Sequence, residues 1–150
     1  MTIVGIGAFP AGGLMSLRTF FAAIPPNTGM TFVVVIHLSP DHESVLADLL
    51  RDYSQMPVTQ VQAKVAMEPD HVYVIPPGKR LLVRDGYLDL EELAMPLGQR
   101  LQIDTFFRSL AEGHGDGAAI ILSGTGTDGT VGMKAIKERG GLLLVQSPED

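Results

Sequence analysis

The sequence contains no cysteine and no tryptophan. The absence of cysteine excludes disulfide bonds, thiolate metal ligands and a cysteine nucleophile, and it is typical of a reducing compartment. No apolar run approaches the roughly 20 residues that a membrane-spanning helix needs. Residues 1–4 also lack the basic and long apolar segments of a secretory signal. These absences predict a cytoplasmic protein that is not inserted into a membrane.

Positive charge is also scarce. Eleven Lys and Arg residues stand against 17 Asp and Glu residues, and the isoelectric point is about 5.1. Because nucleic-acid binding depends on basic surfaces that meet phosphate groups, we expect no nucleic-acid partner. The histidines and acidic residues show no metal-ligand spacing, so we expect neither a metal nor another cofactor.

The remaining composition is that of one globular domain. Hydrophobic residues make up 45% of the 150 residues and charged residues 19%, which fits a single well-buried core. The apolar run 142–145 reads as a buried strand, and the sequence ends five residues later. We therefore expect one domain over residues 1–150, truncated at its carboxyl end.

Short apolar runs alternate with helical patterns along the chain. Strands are predicted at residues 2–6, 31–36, 57–61, 71–75, 118–122 and 142–145, and helices at residues 14–24, 45–50, 103–111 and 131–139. This alternation is typical of a doubly wound, mainly parallel sheet in a Rossmann-like three-layer α/β/α fold. The pair Asp85-Gly86 lies between two apolar runs and predicts a hairpin, which we place, together with the strand that begins at His71, at one edge of the sheet.

Three predicted strand ends carry residues suited to chemistry. Sites in sheets of this kind lie beyond the carboxyl ends of the strands. The glycine-rich loop 7–13 follows the first strand, His37 ends the second, and Asp128 lies in the glycine-rich loop 123–129. His37 and Asp128 are therefore placed like the base and the orienting acid of a hydrolase triad. Asp128 also suits the cap of the next helix.

The first loop permits a second interpretation. Gly5-x-Gly7, followed by Ala11 and Gly12, loosely resembles the dinucleotide-binding fingerprint. That fingerprint requires an acid at the end of the second strand to bind the ribose, where this sequence has His37. A nucleotide-binding domain therefore remains as a weaker alternative.

Five segments, in order along nearly the whole chain, resemble the catalytic domain of the protein-glutamate methylesterases of bacterial chemotaxis, the CheB family. They are residues 7–13, 36–37, 72–77, 103–109 and 124–129. The sequences of residues 37–44 and 123–126 are similar to those of the branch of the family that is fused to a receptor methyltransferase and sometimes to kinase modules. The resemblance implies a hydrolase domain in a chemotaxis signalling and phosphorelay system.

The resemblance also assigns roles. It places the family's histidine at His37, its aspartate at Asp128 and its oxyanion-hole backbone N–H at Thr125, with Ala11 and Gly12 in the facing loop. The family's serine has no counterpart. The pattern Gly-Ala-Ser-x-Gly-Gly is one residue longer here, and Phe9 and Pro10 occupy the nucleophile position.

The implied reaction is hydrolysis of glutamyl methyl esters on the cytoplasmic helices of methylated chemoreceptors, with a fused or neighbouring methyltransferase as a further partner. Because Phe9 and Pro10 replace the serine, the alternative is a catalytically inactive, esterase-like regulatory or binding module. Ser16, Ser39 and Ser123 are the other serines considered as substitutes. From the sequence, whether the domain is an active enzyme stays open.

Overall fold

A computed structural model describes residues 2–8, 10–36, 46–92, 102–113, 117–122, 136–138 and 142–145. The elements, in chain order, are β1 (Ile3–Ala8), α1 (Pro10–Ala23), β2 (Thr31–Ile36), α2 (Leu46–Arg51), β3 (Val58–Gln60), β4 (Val65–Ala66), β5 (His71–Val74), β6 (Lys79–Arg84), β7 (Tyr87–Glu92), α3 (Gln102–Gly113), β8 (Gly117–Leu122) and β9 (Leu142–Val145). Residues 136–138 add a helical turn. None of the helices in these ranges is both long and apolar enough to span a membrane.

The main sheet has six strands in the order β3-β5-β2-β1-β8-β9. Every neighbouring pair in it is parallel. All residues of β1 and β2 are buried, as expected for central parallel strands that are covered on both faces. The predicted doubly wound α/β fold is therefore confirmed.

Helices α1 and α3 cover opposite faces of β1. The α-carbons of Gly5 and Gly7 face α3, because a β-carbon built on Gly5 would lie 2.8 Å from Phe106 Cε2. Neighbouring residues of a strand point to opposite faces, so Val4 faces away from α3. Phe32 is the register partner of Val4, and its ring meets the ring of Phe21 in α1 at a centroid distance of 5.9 Å.

The glycine-rich segment 7–13 is not the loop that we predicted. Gly7 and Ala8 extend β1, and α1 already begins at Pro10. Gly7 serves close packing rather than flexibility, since a β-carbon there would lie 2.7 Å from Ile103 Cγ2. Proline suits the first position of a helix because its missing N–H is not needed there.

The hairpin at Asp85-Gly86 is confirmed, and both turn residues have positive φ, 51° and 81°. However, it does not lie at an edge of the main sheet. It forms a second, antiparallel sheet in the order β4-β7-β6. The prediction that His71 begins an edge strand is also wrong, because β5 lies between β3 and β2. Its residues 72–74 are buried on both faces, which suits an internal strand.

The carboxyl-terminal strand β9 was predicted to be buried. It pairs with β8 and ends the order of the main sheet in the described residues. Leu144 is 50% exposed, which fits a strand that has a neighbour on one side only.

Replacing Gly7 with alanine is expected to lower the free energy of unfolding by about 1–3 kcal/mol, because the new methyl group overpacks the contact with α3. It would lie 2.7 Å from Ile103 Cγ2 and 2.9 Å from Ile121 Cδ1. Urea denaturation measures the loss. In a double-mutant cycle, Ile103→Ala should remove part of the penalty, so that the combined loss is smaller than the sum. A Gly7→Ala protein as stable as the wild type would contradict this packing.

Candidate functional site

The three central strands of the main sheet end at the same level. Ala8, the last residue of β1, is in register with Ile36 of β2 and with Leu122 of β8. Neighbouring strands lie about 4.8 Å apart, so the chain leaves the sheet at three adjacent points. His37 and Ser123 follow two of these ends directly in the sequence and lie outside the described residues.

The strand order of the main sheet changes direction at β1, whose carboxyl end is one of these three ends. From β1 the main sheet continues through β2, β5 and β3 on one side, whereas β8 and β9 lie on the other. In open α/β sheets, ligands bind in the crevice at such a switch point. Leu122, the last residue of β8, lies at this switch point beside Ala8, and the segment that contains Thr125 and Asp128 follows it in the sequence.

The connection between β1 and α1 is a single residue, Phe9. Helix α1 therefore begins at the carboxyl edge of the sheet, where the unpaired N–H groups and the dipole of its first turn favour negative charge. Pro10 has no N–H, so the backbone donors start at Ala11 and Gly12. Such N–H groups suit a carbonyl or carboxylate oxygen, and the roles assigned to Ala11 and Gly12 stay predictions.

Helix α3 brings an acid to the same edge. Ile103 in its first turn packs on Gly7, near the carboxyl end of β1. The next residue, Asp104, is 5% exposed. In the sequence, residues 103–111 predict a helix and residues 103–109 carry part of the family resemblance, and Asp104 is not among the predicted site residues. The feature of the sequence that could have indicated Asp104 is an acidic residue that directly follows a core position at the start of a helix.

The remaining site predictions fall on residues that are not described. Phe9, His37, Thr125 and Asp128 lie outside the described ranges, so their roles stay predictions. Ser39 and Ser123 also lie outside them. Ser16 is in α1, six residues after Pro10, which corresponds to about 9 Å along the helix axis. It is therefore too far along the helix to replace a nucleophile at its start.

His71 lies at the amino ends of the strands of the main sheet, away from the carboxyl ends described above, because it is the first residue of β5. Its Nε2 lies 3.0 Å from Thr59 Oγ1, and its ring stacks on Tyr73 at a centroid distance of 4.6 Å. Burial raises the pKa of the Tyr73 hydroxyl, which accepts a hydrogen bond from the backbone N–H of Glu68. These contacts give His71 a structural role.

The structure removes the main support for a dinucleotide-binding site, which was a glycine-rich turn at Gly5 and Gly7. Gly5 and Gly7 lie inside β1 and pack against α3, so they are not in a phosphate-binding turn. For metals, the described residues contain no group of three or more His, Asp or Glu side chains that is arranged to hold an ion.

The chain is similar to a family of known proteins. Residues 4–150 match the family model described as CheB methylesterase. A putative protein-glutamate methylesterase/protein-glutamine glutaminase of Leptospira interrogans is 28% identical over 97% of this chain and 75% of its own length. A protein-glutamate methylesterase/protein-glutamine glutaminase of Carboxydothermus hydrogenoformans is 31% identical over 98% of this chain, which spans 45% of that protein.

A larger relative and a solved structure complete the comparison. An uncharacterized 104.1 kDa protein of Rhodobacter capsulatus is 38% identical over 70% of this chain, and the match covers 11% of that protein. The crystal structure of the Thermotoga maritima CheB methylesterase catalytic domain superposes with a TM-score of 0.82 at 28% identity. It covers 94% of this chain and 77% of the Thermotoga chain.

The register of the strand ends predicts that positions 9 and 37 are neighbours. Because the sequence has no cysteine, Phe9→Cys combined with His37→Cys introduces one pair of thiols. We expect this pair to form an intramolecular disulfide, which requires α-carbons within about 7 Å. Intact-mass spectrometry before and after reduction detects the bond.

The control pair is Thr2→Cys with His37→Cys. Thr2 precedes β1, so it lies about 20 Å from the carboxyl edge and should give no disulfide. Equal crosslinking of the two pairs, or none in the first, would contradict the adjacency of the strand ends.

Proposed function

Because the chain belongs to the CheB methylesterase family, whose model matches residues 4–150, we propose that it binds glutamyl side chains on the cytoplasmic helices of methylated chemoreceptors. We propose further that it lacks the serine-dependent hydrolysis of the family. The observation that carries this proposal is the link between β1 and α1, in which Phe9 alone joins Ala8 to Pro10.

Ester hydrolysis by this route needs a nucleophile, a base and oxyanion donors. Phe9 and Pro10 have no nucleophilic atom, so no acyl-enzyme can form at the end of β1. The N–H groups at the start of α1 still suit a carbonyl or carboxylate oxygen, and we assign His37 and Asp128 to the same pocket. Loss of the nucleophile from a triad lowers kcat by about 10⁶-fold, so we expect no methanol release on the timescale of an assay. The domain is then a binding module.

A working methylesterase is the second candidate, and one observation favours it. Leu122 is in register with Ala8, so Ser123 follows β8 at the level where Phe9 follows β1. In this candidate Ser123 attacks the ester carbonyl while His37 accepts its proton and passes it to the leaving methoxide, so that methanol departs. Water that is deprotonated by His37 then hydrolyses the acyl-enzyme, which gives the free carboxylate and restores Ser123. A serine-directed phosphonate should label Ser123 if this candidate is correct.

We place the domain in a larger cytoplasmic signalling protein or complex, with a fused or neighbouring methyltransferase. The support is the match to the 104.1 kDa Rhodobacter protein, of which it covers 11%. In that setting a domain without hydrolytic activity binds the glutamyl side chains of the receptor and regulates the access of the partner enzyme to them.

The test is release of methanol from a methyl-esterified receptor fragment. The native sequence should release it at the background rate. Phe9→Ser combined with deletion of Pro10 turns residues 7–13 into Gly-Ala-Ser-x-Gly-Gly and provides a nucleophile at the start of α1. We expect this variant to release methanol at least about 100-fold faster than the native protein.

Adding His37→Ala to the restored variant should return the rate to background. Methanol release by the native protein that disappears in His37→Ala or Ser123→Ala would overturn the proposal in favour of the second candidate. An inactive restored variant that is folded and binds the fragment would show that the remaining groups are not arranged for ester hydrolysis.

A further inference from the structure

Helix α1 carries little charge on its outer side. Its fourteen residues, PAGGLMSLRTFFAA, include a single charged residue, Arg18, and no acid. Leu17 and Phe21 are fully buried and face the main sheet. Leu14 and Met15 are exposed on its outer side, and neighbouring exposed apolar side chains often mark a surface that binds a partner.

The outer side of α1 forms an open groove of about 580 Å³. It is lined by Met15, Arg18, Thr19, Ala22, Ala23 and Tyr53. Met15 is 69% exposed, although methionine side chains are usually buried. The short side chains in the groove allow a second helix to approach to the usual interaxial distance of about 8–10 Å. We name this surface the α1 groove.

Arg18 is held in place at one wall of the α1 groove. Its guanidinium carbon lies 4.4 Å from the centroid of the Tyr53 ring, and its Nη2 donates a hydrogen bond to the Tyr53 hydroxyl. It is the one charged residue among those that line the groove. A guanidinium that is stacked in this way keeps other N–H donors for a carboxylate. The charge complementary to this groove is therefore negative.

We propose that the α1 groove docks an amphipathic helix of the chemoreceptor that carries the glutamyl side chain. This inference rests on the proposed function. The apolar stripe of the receptor helix packs on Met15 and Ala22, and an acidic side chain of the same helix pairs with Arg18. This is the helix-in-groove mode of recognition, in which anchors recur every three to four residues.

The dimensions agree with this arrangement. The groove extends from Met15 to Ala23, which is about 12 Å along α1, or two turns of a partner helix. Met15 lies about 8 Å along the axis from Pro10. A receptor helix that runs alongside α1 therefore extends past the groove. Its side chains one to two turns further on reach the strand ends, where Phe9 and His37 follow β1 and β2 in the sequence.

The experiment measures the affinity of the protein for a purified, helical cytoplasmic fragment of a chemoreceptor by isothermal titration calorimetry. Met15→Glu and Arg18→Glu should each weaken binding by about tenfold or more, because a contact in the groove is lost and like charge is introduced. Arg108→Glu makes the same charge change on the exposed side of α3, across the main sheet. It should change the affinity by less than about twofold.

Circular dichroism and thermal unfolding check that each variant is folded. If the wild type and both groove variants bind the fragment equally, the inference is overturned and the proposed function stands. If the folded wild type does not bind the fragment, the proposed function fails, and the inference fails with it. Weakening by Arg108→Glu to the same degree as by Arg18→Glu would show a general charge effect and would also overturn the inference.

Discussion

The pairing of β1 with β2 on one side and β8 on the other is the constraint on which the site depends. Ala8, Ile36 and Leu122 end these strands in register, so three chain segments leave the sheet together. The pairing tolerates little change, because α3 lies directly on the backbone of β1 at Gly5 and Gly7. Side chains at either glycine would displace the helix whose first turn carries Asp104.

The same constraint supports the proposed loss of hydrolysis. With β1 ending at Ala8 and α1 starting at Pro10, only Phe9 occupies the junction between strand and helix. The helix start still offers its N–H groups, so binding of a carbonyl group and attack on it are separable functions. In the proposed docking, the α1 groove gives the partner helix contacts that do not depend on a nucleophile.

The sequence predicted the parts of the fold that are encoded locally. Apolar runs at β1, β2 and β8 and the Asp85-Gly86 turn needed no tertiary information. The location of the hairpin and the internal position of β5 depend on pairing between distant segments, which periodicity does not report. Gly7 was misread as a loop residue, because the contact that requires it comes from Ile103, far along the chain. The predicted site residues His37 and Asp128 rest on strand-end position and family resemblance, whereas the burial of Asp104 depends on tertiary packing that the sequence pattern does not report.

The central claim is that the domain holds the ester without cleaving it. Carbon-13 NMR of a receptor fragment labelled at the ester methyl group measures both properties in one sample. The account predicts that the methyl signal shifts or broadens when the protein is added, while no labelled methanol accumulates beyond the rate without protein. Conversion of the ester signal into the methanol signal over repeated turnovers, abolished by His37→Ala, would contradict it.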